Sequence, residues 1–183
     1  MSPSAPWHVD EWELLSDLAK IEQQWASIRE NLADPALFDR SDPDVSEWSC
    51  GQQAGHAVMV AQTIADRIEG NLADPDRNRD ERPPDVALRV LSAGRFTRGS
   101  AEAPPEVRPE SLAREDFLTL LETAVESWSR IGARAEELPA CAARYPHFRL
   151  GFLTSTEWVR MCAIHTGHHL ALVRDIAGGA PGG

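Results

Sequence analysis

The run Trp158-Val159-Arg160-Met161-Cys162-Ala163-Ile164-His165-Thr166-Gly167-His168-His169-Leu170-Ala171-Leu172-Val173-Arg174-Asp175-Ile176 decides the fold. Trp158, Cys162, His165, His169, Leu172 and Ile176 follow one another in alternating steps of four and three residues, the period of one helix face. Thr154, with Glu157 three residues on, sets a capping box at its start. Two histidines therefore stand where core residues belong.

Working outward, three more segments keep the same rhythm. The first is Leu14, Leu18, Ile21, Trp25, Ile28 and Leu32. The second spans about 49–70, with His56, Val60, Ile64 and Ile68 on one stripe, so that a third histidine occupies a core position. The third is Phe117, Leu121, Ala124, Trp128, Ile131 and Ala135, opened near Ser111 and closed by Pro139. No segment shows a sustained period of two, so the expected class is all-α, a four-helix bundle. A helix of about 22 residues spans roughly 33 Å. The stretch 71–111, with Pro75, Pro83, Pro84, Pro104, Pro105 and Pro109, is long enough to return along the bundle and lets the second and third helices run parallel. One short helix is expected within it, around 85–93. The peptide Asn-Leu-Ala-Asp-Pro at 31–35 and 71–75 reads as a reused helix stop. The tail 178–183, of Gly, Ala and Pro, reads as frayed.

One domain covering 1–183, with its core at about 10–177, fits this length. An apolar fraction of 42% with six Trp suits a packed globule, and no apolar run nears the roughly 18 residues of a membrane span. The formal charge of −11, without a basic cluster, argues against nucleic-acid binding. Residues 1–10 lack signal-peptide features, and Cys50, Cys141 and Cys162 lack metal-type or redox spacing. The expected address is the reducing cytoplasm, with the three cysteines as free thiols.

His165 and His169, four residues apart on a helix, place their rings about 6 Å apart on one face, where they can share an ion. Both lie on the apolar stripe, and His56 lies inward on another helix. Burying three imidazoles without partners is costly, and one metal ion relieves all three. His168 is turned away from a shared ion and reads as a surface or supporting histidine. His147, in Tyr145-Pro146-His147-Phe148, is a loop residue or part of a pocket rim, and His8 belongs to a mobile start. Cys162 is a core cysteine, a fourth ligand or a nucleophile. Asp44, Glu47, Asp66 and Glu69 lie near or on the second helix, one of them a candidate to support a ligand histidine, and nothing chooses among them. No glycine-rich phosphate loop, nucleophile elbow or Cys-X-X-Cys pair is present.

Glu47-Trp48-Ser49-Cys50-Gly51-Gln52-Gln53-Ala54-Gly55-His56 resembles the start of the second helix in the DinB-like superfamily, where a Trp-Ser pair precedes a metal-binding histidine by about eight residues. The run 148–158 followed by His165-Thr166-Gly167-His168-His169-Leu170, and the linker Gly94-Arg95-Phe96-Thr97-Arg98-Gly99, are similar to an uncharacterised DinB-like subfamily. The resemblance covers about residues 10–177. It implies an up-down-down-up bundle with a divalent ion, nickel or zinc, on His56, His165 and His169. It also implies homodimerisation and relatives that include mycothiol- or bacillithiol-dependent S-transferases, an isomerase and metal-dependent hydrolases. Relatives often carry Arg or Gln soon after the paired histidines, where this chain has Leu170-Ala171-Leu172.

Three neutral histidines leave a coordination position open on such an ion, the arrangement of a catalytic site. Water or a thiol there becomes the nucleophile. The leading expectation is a metal-dependent transferase of a small-molecule substrate, using a low-molecular-weight thiol. The long linker and the His147 loop would hold thiol and electrophile, and Arg144 and Arg149 would grip a carboxylate unless they are solvated loop charges. A hydrolase on the same three histidines, or a non-catalytic binding or stress-linked interaction module, are the alternatives.

Overall fold

The computed structural model describes residues 9–97 and 102–178, without the side chains of Glu11 and Trp12. His8, the Arg98-Gly99 end of the linker motif and residues 179–183 of the tail lie outside the described residues. Among those described, the elements run α1 (Glu11–Asn31), α2 (Pro35–Phe38), α3 (Cys50–Ala73), α4 (Asp85–Ala93), α5 (Arg114–Gly132), β1 (Arg144–His147), β2 (Gly151–Thr154) and α6 (Ser155–Ile176). Single 3-10 turns stand at Pro105–Val107 and Ala135–Glu137. The chain is mainly helical, and no described helix is long and apolar enough to cross a membrane.

The helix starts are set by local chemistry. Asp10 with Glu13, Ser49 with Gln52 and Thr154 with Glu157 each form a reciprocal capping box, satisfying N–H groups that α1, α3 and α6 would otherwise leave open. Leu14, Ile21, Trp25, Ile28 and Leu32 are buried along α1, and Phe117, Leu121, Ala124, Trp128 and Ile131 along α5, as the apolar periods require. Helix α5 ends at Gly132, so Ala135 falls in the following 3-10 turn instead of prolonging the helix to Pro139. The repeated Asn-Leu-Ala-Asp-Pro does stop two helices, α1 at Asn31 and α3 at Ala73. Within the first copy Asp34 caps the single turn of α2, which starts at Pro35.

Helix α6 packs against α3 and α1, and α5 packs mainly against α3 and only slightly against α1. Across α3 and α5, the Trp128 indole N–H donates to the Ala61 carbonyl at 3.1 Å in the core. Across α1 and α6, Arg160 holds the buried Asp17 carboxylate through contacts of 2.9 and 3.2 Å, and its Nε donates to the Leu91 carbonyl of α4 at 3.1 Å. One guanidinium thus ties together three elements. Helix α4, where the Pro-rich crossover was expected to hold one, buries Ala87 and Leu91 and lies against α6.

The all-α expectation needs one correction. Strands β1 and β2 pair antiparallel, Arg144 with Thr154 through His147 with Gly151, immediately before α6. Each strand has four residues, too few for a period of two to stand out in the sequence. The hairpin is held by tertiary contacts: Leu153 is fully buried, and Gly151 at φ +71° lies where a Cβ would come within 2.8 Å of Pro84 Cδ.

Candidate metal centre

His56 comes from the second turn of α3, and His165 and His169 from successive turns of α6, the helix packed against it. Their ring centroids are 5.0 Å apart for His56 and His165, 4.7 Å for His56 and His169, and 4.6 Å for His165 and His169. One ring nitrogen from each lies within 4.8 Å of the others, a group that could hold a metal ion. His56 and His169 are buried, and His165 is half-buried.

Two of the rings have their orientation fixed. His56 Nδ1 donates to the Val107 carbonyl at 2.7 Å, from the 3-10 turn of the crossover. His169 Nδ1 donates to Gln53 Oε1 at 2.7 Å, and Gln53 Nε2 donates to the Ser46 hydroxyl at 2.7 Å. With Nδ1 carrying the proton in each, Nε2 is left with its lone pair available to an ion. His165 Nδ1 is buried without a hydrogen-bond partner among the described residues, a cost that coordination at this ring would help offset. Aromatic rings surround the group: Trp48 lies 5.1 Å from the His56 ring, and Phe96 lies 6.3 Å from His165.

Burial pushes the imidazoles of His165 and His169 well below the ordinary histidine range, and the neighbouring histidines push the same way. Burial also lowers His56, opposed by its bond to the Val107 carbonyl. All three are therefore neutral near pH 7, the form in which imidazole binds metal.

The other histidines and the basic loop residues fall elsewhere. His168 is edge-on to His169 at 5.1 Å and reaches Phe96, outside the three-His group. In the hairpin turn, His147 Nδ1 accepts the backbone N–H groups of Arg149 and Leu150, both at 3.1 Å, and its ring stacks on Phe148 and packs on Trp158. Cys162 is a core cysteine whose thiol burial pushes well up, leaving no thiolate near pH 7. Arg144 pairs with the half of Glu157 that also caps α6, at 3.5 Å, so it braces the hairpin. Arg149 is exposed at the hairpin turn.

The groups that orient the His56 and His169 rings are not among the carboxylates the sequence points to. Asp66 instead accepts from Gln62, and Glu69 pairs with Arg130 on α5. Gln53 had a local signal, because it lies three residues before His56 and so shares its helix face. Val107 had none, because a carbonyl of the crossover reaches the site only through the tertiary fold.

Among the curated proteins and the solved structures, no match to the chain is found. Against protein-family models, the one described as the DinB superfamily matches residues 18–173, a span that includes all three histidines. The chain belongs to the DinB superfamily.

Proposed function

We propose that the protein is a divalent-metal enzyme, a transferase acting with a low-molecular-weight thiol of the mycothiol or bacillithiol type. Its ion, zinc or nickel, is held by His56, His165 and His169. The observation that carries this reading is the pair of imidazoles whose Nδ1 atoms are committed to Val107 and Gln53 while their rings converge with His165. Rings oriented in this way are ligands fixed before an ion arrives. When bound, the ion would supply Lewis acidity and draw the proton from a coordinated thiol or water.

The protein's own groups do the rest. Gln53 and the Val107 carbonyl hold two rings in one tautomer, and Trp48 and Phe96 pack beside His56 and His165. The half-buried His165 marks the side from which a thiol and an electrophile enter. The pairwise packing of α1, α3, α5 and α6 suits an up-down-down-up bundle, with the crossover carrying Phe96 and Val107 over the histidines on its way. Three buried free thiols suit work in the reducing cytoplasm.

The test is conjugation of 1-chloro-2,4-dinitrobenzene to mycothiol or bacillithiol, followed spectrophotometrically with metal-loaded protein. The rate should exceed that of thiol alone, disappear with chelator or in His169→Ala, and return when zinc or nickel is restored. A rate equal to thiol alone across a panel of electrophiles would overturn the transferase reading. Thiol-independent cleavage of a p-nitrophenyl ester would instead assign hydrolysis to the same centre.

A further inference from the structure

A groove of about 380 Å³ lies between α1, α6 and the linker residues Gly94, Arg95 and Phe96; His168 lines it and the three candidate ligand histidines do not. Its volume lies in the range of small-molecule sites, roughly 300–1,000 Å³. Phe96 forms the wall between groove and metal centre, in contact with His165 on one side and with the groove-lining His168 on the other, at 6.3 Å each.

The charges in this groove run against those of the whole protein. In a chain of formal charge −11, the groove gathers Lys20, Arg95 and Arg160 with only Asp17 opposing them. Asp17 is 1% exposed and already accepts two contacts from Arg160 and one from Lys20 at 3.1 Å. What the groove offers to solvent is thus positive. Lys20 is half exposed, Arg95 is exposed, and neither Arg95 nor Arg160 Nη2 has a hydrogen-bond partner among the described residues. Ala163, Ile164 and Phe96 add apolar lining to the groove.

We infer that the α1–α6 groove binds a small organic carboxylate, its anion held by Lys20, Arg95 and Arg160 and its apolar body laid against Phe96 toward the histidines. Arginine and lysine donors favour carboxylate over a neutral amide, because charge-assisted hydrogen bonds are about twice as strong as neutral ones. Asp17 has a positioning role: it holds Arg160 in the groove wall through Nη1, so that Nη2, beside Gly94, is not engaged by it. That this anion is the electrophilic substrate rests on the proposed function, whereas its binding does not.

The experiment is isothermal titration of the metal-loaded protein with phenylacetate, with phenylacetamide as the neutral probe. Variants are Lys20→Gln with Arg95→Gln, both at exposed positions where the fold is not at risk, and His56→Ala. Phenylacetate should bind at least about tenfold more tightly than phenylacetamide, the worth of one charge-assisted hydrogen bond. That preference should vanish in the double variant and weaken with added salt. It should survive in His56→Ala, with or without metal. Equal binding of the two probes, or a preference unchanged in the double variant, would overturn the inference. Loss of phenylacetate binding in His56→Ala alone would also overturn it, placing the anion on the metal and leaving the metal-centre reading standing.

Discussion

His169 Nδ1 on α6 lies 2.7 Å from Gln53 Oε1 on α3, and Gln53 passes the connection to the Ser46 hydroxyl. A buried amide thus decides which nitrogen of His169 is left for an ion. Replacing Gln53 by Leu should lower metal affinity by about 10- to 100-fold, the usual cost of removing a group that orients a ligand ring. Gln53→Glu keeps an acceptor and should retain most of the affinity. Competition against a chromogenic chelator measures both. Equal affinity in Gln53→Leu and the parent would show that the amide does not orient the ring.

Asp17 and Arg160 form a nearly buried pair that joins α1 to α6. Arg160→Leu leaves the Asp17 carboxylate in the core with only the half-exposed Lys20, and should cost about 3–5 kcal/mol. Asp17→Leu combined with Arg160→Leu removes both charges and should be less damaging than the sum of the single changes. Urea unfolding midpoints decide; strict additivity would mean the two charges do not depend on each other.

The His147 ring accepts two backbone N–H groups through Nδ1, which a proton there would displace. Burial, helped by Arg67 and Arg149, lowers its pKa to about 4. A group lowered in the folded state gives stability that is fully present above its unfolded value of about 6.5 and is lost as pH falls toward 4. Thermal melts should therefore show the parent losing more stability between pH 6.5 and 4 than His147→Asn, whose amide oxygen accepts without titrating. Parallel pH profiles would contradict this.

Gly151 sits at φ +71°, with Pro84 in the path of a Cβ. Gly151→Ala should destabilise by about 1–2 kcal/mol from the left-handed backbone alone, and more from the contact with Pro84. Gly132→Ala, where nothing lies within 4 Å of the added atom, is the matched control and should be neutral or mildly stabilising.

What could be read from the chain was what the helix period carries. The stripes of α1, α3, α5 and α6, the capping box at Thr154 and the short helix near residue 85 are local patterns, and so is the placing of His56, His165 and His169 on inward faces. The hairpin escaped because its four-residue strands owe their pairing to Gly151, Leu153 and the packing of Pro84. The Val107 carbonyl, the Phe96 wall and the Asp17–Arg160 tie escaped for a related reason. Each joins residues more than fifty positions apart, and nothing in the intervening residues announces the contact.

The most direct measurement is elemental analysis of tag-free protein purified without chelator, beside His56→Ala and His165→Ala, each checked for folding by circular dichroism. The three-histidine centre predicts about one zinc or nickel per chain in the parent and none in either folded variant. A parent that stays metal-free after reconstitution, or variants that keep their full complement, would contradict it.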